Sequence, residues 1–539
     1  MSKQKKTIIR VSVRILRVLA KVALAILIGG ALLVFLLNRL AGLPDNSGRE
    51  ISQVIDNGAE SSLGKRFAPG LAENPDKNGI VELPHGRDAF AARVVLADQA
   101  ERSIDTQYYM WHQDTVGRSL VYALIRAADR GVRVRLLVDD MYGSDGQDTW
   151  LAMDTHPNIE VRLFAPYSRR QPKNLQFVTR FHDVNARMHT KTFTVDNQAT
   201  IVGGRNIGDE YFNADTELAF ADNDVLAIGP AVAQVSSNFD NYWNGDYAYP
   251  VSTLLPAATD ADFQKLRDAS PAFMDKPDTQ SYFEAVKQGN LAQALRDGRV
   301  EFRWGSGKIV HDAWWKREQK REGWHDELLI TQLKPYLLEA TEELIIISPY
   351  FVPGDDTVEA LCSLAEKGVS VKVLTNSLAS NDVAAVHAGY SKVRLPLLRS
   401  GVELYELGEH LRNAQRRAFT WLPSLSKSSL HAKSMVIDKK QMFVGSFNYD
   451  QRSLYLNTEI GLVFDQAELA GPASEKFDQN INKVAFKVEL VTSDNGKESL
   501  LWHGIEDGKA VTYDSEPYVG RGTKTAVWFI RWLPVDWLL

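Results

Sequence analysis

Two periodicities alternate along this chain. Residues 87–100 read as a helix, and residues 103–111 (SIDTQYYMW) read as a strand. Residues 117–131 (GRSLVYALIRAADRG) carry apolar positions at helical spacing and close on Gly131, a common helix stop. Residues 132–140 (VRVRLLVDD) alternate and then run apolar, as a buried strand does. A short helix and a strand over 159–164 (IEVRLF) follow.

The same order returns later. Residues 326–340 read as a helix apart from Pro335, 343–351 as a strand, 356–368 as a helix ending in Gly368, and 369–377 as a strand. Then come a helix over 381–401 and a strand over 402–407. Helices alternating with strands predict an α/β sandwich in each half. The pattern divides the chain into 1–43 (basic N-terminus and anchor helix), 44–78 (a linker), 79–250 (first half), 251–325 (inter-domain connection), 326–480 (second half) and 481–539 (C-terminal extension).

At the N-terminus, seven basic residues from Lys3 to Lys21 precede an uncharged apolar run over 22–37. The run falls slightly short of the roughly 20 residues that span a bilayer, and snorkelling basic flanks supply the rest. It exceeds a usual signal-peptide core, and no A-x-A site follows, so an uncleaved single anchor is expected. Positive charge on the N-terminal side keeps that end in the cytoplasm and places the remainder on the opposite side of the membrane, exported. At the other end, Trp528, Trp532 and Trp537 sit among aliphatic residues, as in a membrane-interface segment or a core-packing terminal helix.

Composition narrows the chemistry. With 44% hydrophobic and 24% charged residues the chain is globular. A net charge of −6 lacks the basic excess of a nucleic-acid binder. Its single cysteine, Cys362, excludes intramolecular disulfides and thiolate metal clusters and reads as core filling. GSGK at 305–308 lacks the earlier glycine and the following Ser/Thr of a phosphate loop, and GGRNIG at 203–208 has the wrong spacing for a dinucleotide fingerprint.

One string does recur. MHTKTFTVD at 188–196 returns as LHAKSMVID at 430–438, each with H-x-K-x-x-x-x-D. On a strand, residues i and i+2 share a face, so His189 projects with Lys191 and His431 with Lys433. An ammonium beside an imidazole suits an anion: the first neutralises phosphate oxygens, and the second attacks or moves a proton. Seventeen residues after each histidine stand Asn206 and Asn448, within G-G-R-N and G-S-F-N; twenty-eight after stand Glu217 and Glu459. The asparagines can donate to phosphate, and the glutamates can accept from imidazole Nδ1 so that Nε2 faces the substrate. Asp196 and Asp438 end the strands and read as turn-fixing members of the motif. The lysines argue against a metal centre. His387, in DVAAVHAGY, reads as a core histidine or a cleft residue.

The doubled H-x-K-x-x-x-x-D, each followed by G-[GS]-x-N and a glutamate, resembles the phospholipase D superfamily. The stretches LTNSLASNDVAAVHAGY, GVELYEL and the terminal LPVDWLL narrow the resemblance to bacterial cardiolipin synthases, most like the C type, over about 83–539. This implies two phospholipase D-like α/β/α halves about a pseudo-two-fold axis, sharing one active site. It implies His189 as nucleophile through a phosphohistidine, His431 as general acid and base, and Lys191, Lys433, Asn206 and Asn448 around the phosphorane. Ser446 would bind phosphate from one side only, since Gly204 stands at its counterpart. No cofactor or metal is implied. The substrates implied are phosphatidylglycerol as acceptor and phosphatidylglycerol or phosphatidylethanolamine as donor. The alternatives are a phospholipase D with water as acceptor, a nuclease of the same superfamily, which the anchor and charge disfavour, and a non-catalytic membrane scaffold.

Overall fold

The computed structural model describes residues 3–40, 42–142, 146–215, 220, 222–381, 383–408, 430–506 and 508–532. Two sheets dominate. The first contains β1 (Asn78–Leu83), β2 (Ser103–Tyr108), β3 (Arg133–Asp139), β4 (Ile159–Phe164), β5 (Thr192–Val195), β6 (Ala199–Gly203), β7 (Asp224–Ile228), β8 (Ala248–Pro250) and β9 (Arg303–Gly305). The second contains β10 (Gly307–His311), β11 (Glu343–Ile347), β12 (Ser370–Asn376), β13 (Glu403–Leu407), β14 (Ser434–Ile437), β15 (Gln441–Gly445), β16 (Ile460–Asp465), β17 (Ala485–Thr492), β18 (Glu498–Glu506) and β19 (Lys509–Tyr513).

The spatial orders are β8-β4-β3-β2-β5-β6-β7-β1-β9 and β10-β16-β15-β14-β11-β12-β13-β17-β18-β19. Read from β17 to β10, the second sheet repeats the first from β8 to β1, strand for strand. In each, three neighbours are parallel (β2-β3-β4 and β11-β12-β13), and the others run antiparallel. Helices Thr115–Asp129 and Asp355–Glu366 make the matching crossovers. Both are followed by glycines with φ of +93°, Gly131 and Gly368, a left-handed turn that glycine adopts without strain.

A shared core fuses the halves. Val202 and Val225 of the first sheet pack in one cluster with Ile345, Val436 and Leu462 of the second. Helices Pro230–Trp243 and Ala467–Val484 contribute Val235 and Phe477 to it. Each such fully buried aliphatic side chain contributes roughly 1.5–3 kcal/mol, so neither half presents a water-compatible face without the other.

Two boundaries differ from the sequence reading. Residues 44–78 are no loose linker: Asn46 Nδ2 donates to Ala248 O (3.0 Å), Val54 N to Asp240 (2.8 Å), and buried Arg135 to Ser52 O (3.0 Å). Their polar side chains, which read as loop composition, are spent on hydrogen bonds to the first half. The connection at 251–325 is also mostly first-half structure. Its helices Pro277–Lys287 and Asn290–Asp297 lie on helix Gly86–Gln99, and the chain changes sheets at Ser306, between β9 and β10.

Helix Lys3–Leu40 carries an apolar stretch, Arg17–Leu37, of 21 residues with none of it buried inside the protein. At 1.5 Å per residue this spans about 30 Å, the thickness of a bilayer's hydrocarbon. In the C-terminal extension β17–β19 prolong the second sheet, and helix Arg521–Ile530 buries Val527 against Leu378 and Ala388. Trp528 and Trp532 of that segment stand exposed; Trp537 lies outside the described residues.

Candidate active site

β5 and β14 occupy matching central places in their sheets, and each H-x-K runs into one of them. The residue before each histidine is held by the last residue of a parallel strand two places away in the same sheet. Asp139, ending β3, accepts from Met188 N (2.8 Å) and pairs with buried Arg187 (2.5 Å). Asn376, ending β12, accepts from Leu430 N and donates to Leu430 O, both at 3.1 Å. Strand-end residues thus aim both histidines from the carboxyl edge of a parallel segment, where open α/β sheets place their chemistry.

The two halves interlock at the histidines. Thr458 bridges the backbones of Arg187 and His189, with both hydrogen bonds at 2.9 Å. That bridge brings the next residue, Glu459 of the second half, onto His189: its carboxylate lies 2.8 Å from Nδ1. Asp222 of the first half lies 2.5 Å from Nδ1 of His431. A carboxylate only accepts, so each Nδ1 carries the proton and each Nε2 keeps its lone pair. Each histidine is therefore oriented by the opposite half.

Glu459 is itself fixed. Its oxygens also accept from Ser446 Oγ (2.5 Å) and Ser453 Oγ (2.8 Å), and its backbone N–H donates to Asp312, which pairs with Lys316 (2.8 Å). Burial pushes the Glu459 carboxyl up, against the opposite pull of Lys191 and the two serines. Three donors on two oxygens nonetheless call for the carboxylate. Asp222 is held below the usual carboxylate range by His431 and Lys433, which outweigh its burial.

Both histidines are neutral in the free protein. Burial first, then the charges of Lys191 and Lys433, drive His189 well below its ordinary value. Burial and Lys433 bring His431 down to about 4, against the upward pull of Asp222. Lysines of both halves act on each imidazole, so the four groups converge. Burial also drives Lys191 well below the usual lysine range, with Lys433 adding repulsion. Crowded buried cations of this kind form a site that an anion relieves.

Aromatic rings line the two imidazoles unequally. Tyr109, just past β2, meets His189 edge-on at 5.1 Å. Tyr211 and Phe220 flank His431 at 5.2 and 5.4 Å.

The remaining expected residues divide. Asn206 and Asn448 are buried, each with an Oδ1 that has no hydrogen-bond partner among the described residues; Asn206 Nδ2 donates to Tyr211 Oη (3.0 Å). Ser446 does not point to a phosphate: its hydroxyl donates to Glu459 and accepts from Ile460 N. Asp196 and Asp438 face away from the histidines. Asp196 accepts from the backbone N–H groups of Glu101, Arg102 and Ser103, and Asp438 from those of Thr341, Glu342 and Glu343. They tie the hairpin after each H-x-K to the start of the neighbouring strand, at positive φ (52° and 51°) that Asp tolerates. Glu217 lies outside the described residues, and the carboxylate found on His431 is Asp222. His387 is not in the cleft; it is buried against Glu516 (3.1 Å) and Arg394 (2.6 Å).

Gly204 shows why the two halves differ at this position. A Cβ there would lie 2.2 Å from Asp222 Oδ1, whereas its counterpart Ser446 hydrogen-bonds the longer Glu459. Gly204→Ala will displace Asp222 from His431 and cut turnover about a hundredfold while the protein still folds, since overpacking costs about 1–3 kcal/mol. Turnover and thermal unfolding measured on the same preparation check this; unchanged turnover would show that Asp222 is not needed where it stands.

The family described as "Cardiolipin synthase, PLD-like domain" matches residues 94–243 and 333–481, one match per half. Cardiolipin synthase C of Escherichia coli is 39% identical over 479 residues, 88% of this chain and 99% of that protein. A cardiolipin synthase of Oceanobacillus iheyensis is 24% identical across 75% of this chain and 69% of its own. An uncharacterised protein of Helicobacter pylori is 30% identical over 90% of this chain and 94% of its own. Among solved structures, a phosphatidylserine synthase of Haemophilus influenzae matches 78% of this chain and 90% of its own, with a TM-score of 0.48 and 13% identity. Two matched halves and near-complete coverage at 39% identity make this chain a member of the cardiolipin synthase family of the phospholipase D superfamily, and a phosphatidyltransferase.

Proposed function

We propose that this protein makes cardiolipin by moving a phosphatidyl group onto phosphatidylglycerol, with His189 carrying it as a phosphohistidine. The observation that carries this is the crossed pairing of each imidazole with a buried carboxylate of the other half, which leaves the lone pair of each Nε2 available while Lys191 and Lys433 charge the same site. His189 Nε2 attacks the donor phosphorus; a P–N bond forms and the P–O bond to the headgroup alcohol breaks. His431, protonated as the phosphodiester anion enters, gives its proton to the leaving alkoxide. The acceptor's hydroxyl then loses its proton to His431 and attacks phosphorus, and the P–N bond breaks. Lys191, Lys433, Asn206 and Asn448 meet the extra charge of each phosphorane. The donor is phosphatidylglycerol, releasing glycerol, or phosphatidylethanolamine, releasing ethanolamine.

Membrane association follows from the family and from the apolar N-terminal helix. We place the catalytic part on the periplasmic face, because the basic residues all precede the anchor. The exposed Trp528, Phe529 and Trp532 suit the headgroup boundary of that face.

The reading is tested with the full chain in vesicles of labelled phosphatidylglycerol, with and without phosphatidylethanolamine. Cardiolipin is expected, with labelled glycerol or free ethanolamine identifying the donor. Phosphatidic acid as the sole product would make water the acceptor and replace synthase by phospholipase.

A further inference from the structure

Helices Lys173–Thr179 and Phe181–Asn185 join β4 to the first histidine motif, and they bury polar side chains while leaving two apolar ones exposed. Gln176 is fully buried, and its amide closes the segment on itself: Oε1 accepts from Ser168 N (2.8 Å) and Arg180 (3.1 Å), and Nε2 donates to Ser168 O (2.9 Å). Thr179 and Arg180 are buried with it. The apolar Val178 is instead 63% exposed, and Phe181 is 36% exposed. A segment that hides its amide and guanidinium while presenting valine and phenylalanine next to the exposed Asn174 and His182 has the mixed surface that suits a boundary between lipid and headgroups.

The anchor says which one. Helix Lys3–Leu40 packs against Lys173–Thr179. Of the anchor's described side chains, Val34 and Leu37, one turn apart, are the only partly covered ones. They lie at the end of the apolar stretch, where hydrocarbon gives way to headgroups. Val178 and Phe181 belong to a segment in contact with a bilayer-spanning helix, so their surface continues the membrane boundary.

The inner side of the segment leads to the chemistry. Lys173 Nζ donates to Met141 O, and the next residue, Tyr142, is exposed and meets Tyr109 edge-on at 5.5 Å. Tyr109 is the ring against His189. At its far end, Asn185 accepts from Arg452 of the second half (2.8 Å), four residues before His189.

We propose that these two helices are the portal through which a phospholipid passes from the bilayer to His189, with Val178 and Phe181 seated in the outer lipid boundary. This rests on the reading of the substrate as a bilayer phospholipid. The test is the Val178→Asp, Phe181→Asp double variant of the full chain. Two substrates are compared: phosphatidylglycerol in vesicles, and dihexanoyl phosphatidylglycerol as a soluble monomer. Turnover of vesicle lipid is expected to fall about tenfold or more while turnover of the monomer stays unchanged. No loss on vesicles, or equal loss on both, would overturn the portal.

A second measurement does not depend on turnover, and so separates failure of the portal from failure of the substrate reading. Cys362 is the sole native cysteine. A Phe181→Cys, Cys362→Ser variant therefore takes one NBD label at the portal. In vesicles of brominated phosphatidylglycerol the label is expected to shift to the blue and be quenched; emission like that in water would overturn the seating of Phe181 in lipid.

Discussion

His189→Ala will abolish lipid turnover, with a loss of at least about 10⁴-fold, and will leave no covalent phosphoprotein. His431→Ala will lose turnover comparably but will accumulate the adduct on His189. The difference follows from the roles. Without His189 Nε2 no P–N bond forms. Without His431 that bond still forms with a good leaving alcohol, and its hydrolysis then lacks a base. Rapid quenching with phosphatidyl-p-nitrophenol labelled in its phosphatidyl group, whose leaving group needs no acid, followed by mapping of the acid-labile label, reads this directly. Label on His431 in the His189→Ala variant would reverse the assignment. The geometry favours His189 because its partner is the more firmly built: Glu459 is held by Ser446, Ser453 and the Asp312–Lys316 pair, whereas among the described residues the side chain that Asp222 meets in the cleft is His431 itself. A carboxylate that cannot move keeps Nε2 aimed through attack.

The strands and crossovers were legible from periodicity because they are covered on both faces. Residues 159–164 read as a strand and are one, and both glycine stops, Gly131 and Gly368, stand where the helices end. The linker was not legible. Its polar residues look like loop composition, and only the fold shows Asn46, Ser52 and Val54 bonded to the first half. The exposed Val178 beside buried Gln176 and Thr179 also gave no signal, since periodicity does not say which face is left uncovered.

At the site, the doubled histidine spacing was visible because β14 and β15 repeat β5 and β6 residue for residue. The carboxylates were half visible. Glu459 falls two residues before Gly461, which pairs with Gly445; Asp222 falls two residues before Asp224, which pairs with Gly203. They are structural counterparts, but Asp222 stands 33 residues after His189 and Glu459 28 after His431. The first half has five more residues than the second between its asparagine and its carboxylate, which takes the carboxylate out of sequence register, and equal spacing therefore pointed to Glu217. That each carboxylate serves the other half's histidine is a property of the shared core, which no spacing within one half encodes.

The crossed pairing makes a prediction that separates the two carboxylates. Asp222→Asn will lower kcat about 10²–10⁴-fold and move the alkaline limb of kcat/KM to lower pH. Asp222 attracts the imidazolium form of His431, and it is one of the groups that hold that imidazole up at about 4. Removing the charge makes the imidazolium less stable, so its pKa falls further. With His431 as the proposed acid of the first step, kcat/KM declines as pH rises through that pKa, and a lower pKa brings the decline earlier. In the unaltered protein the limb in kcat will lie above that in kcat/KM, since the bound phosphodiester anion favours the imidazolium. Glu459→Gln removes the acceptor on His189, the proposed nucleophile, which attacks in its neutral form. It will lower kcat by a similar factor through loss of the oriented tautomer while leaving the alkaline limb in place. Measuring both profiles decides the matter: an alkaline limb that moves in Glu459→Gln and stays put in Asp222→Asn would make His189 the acid and His431 the nucleophile.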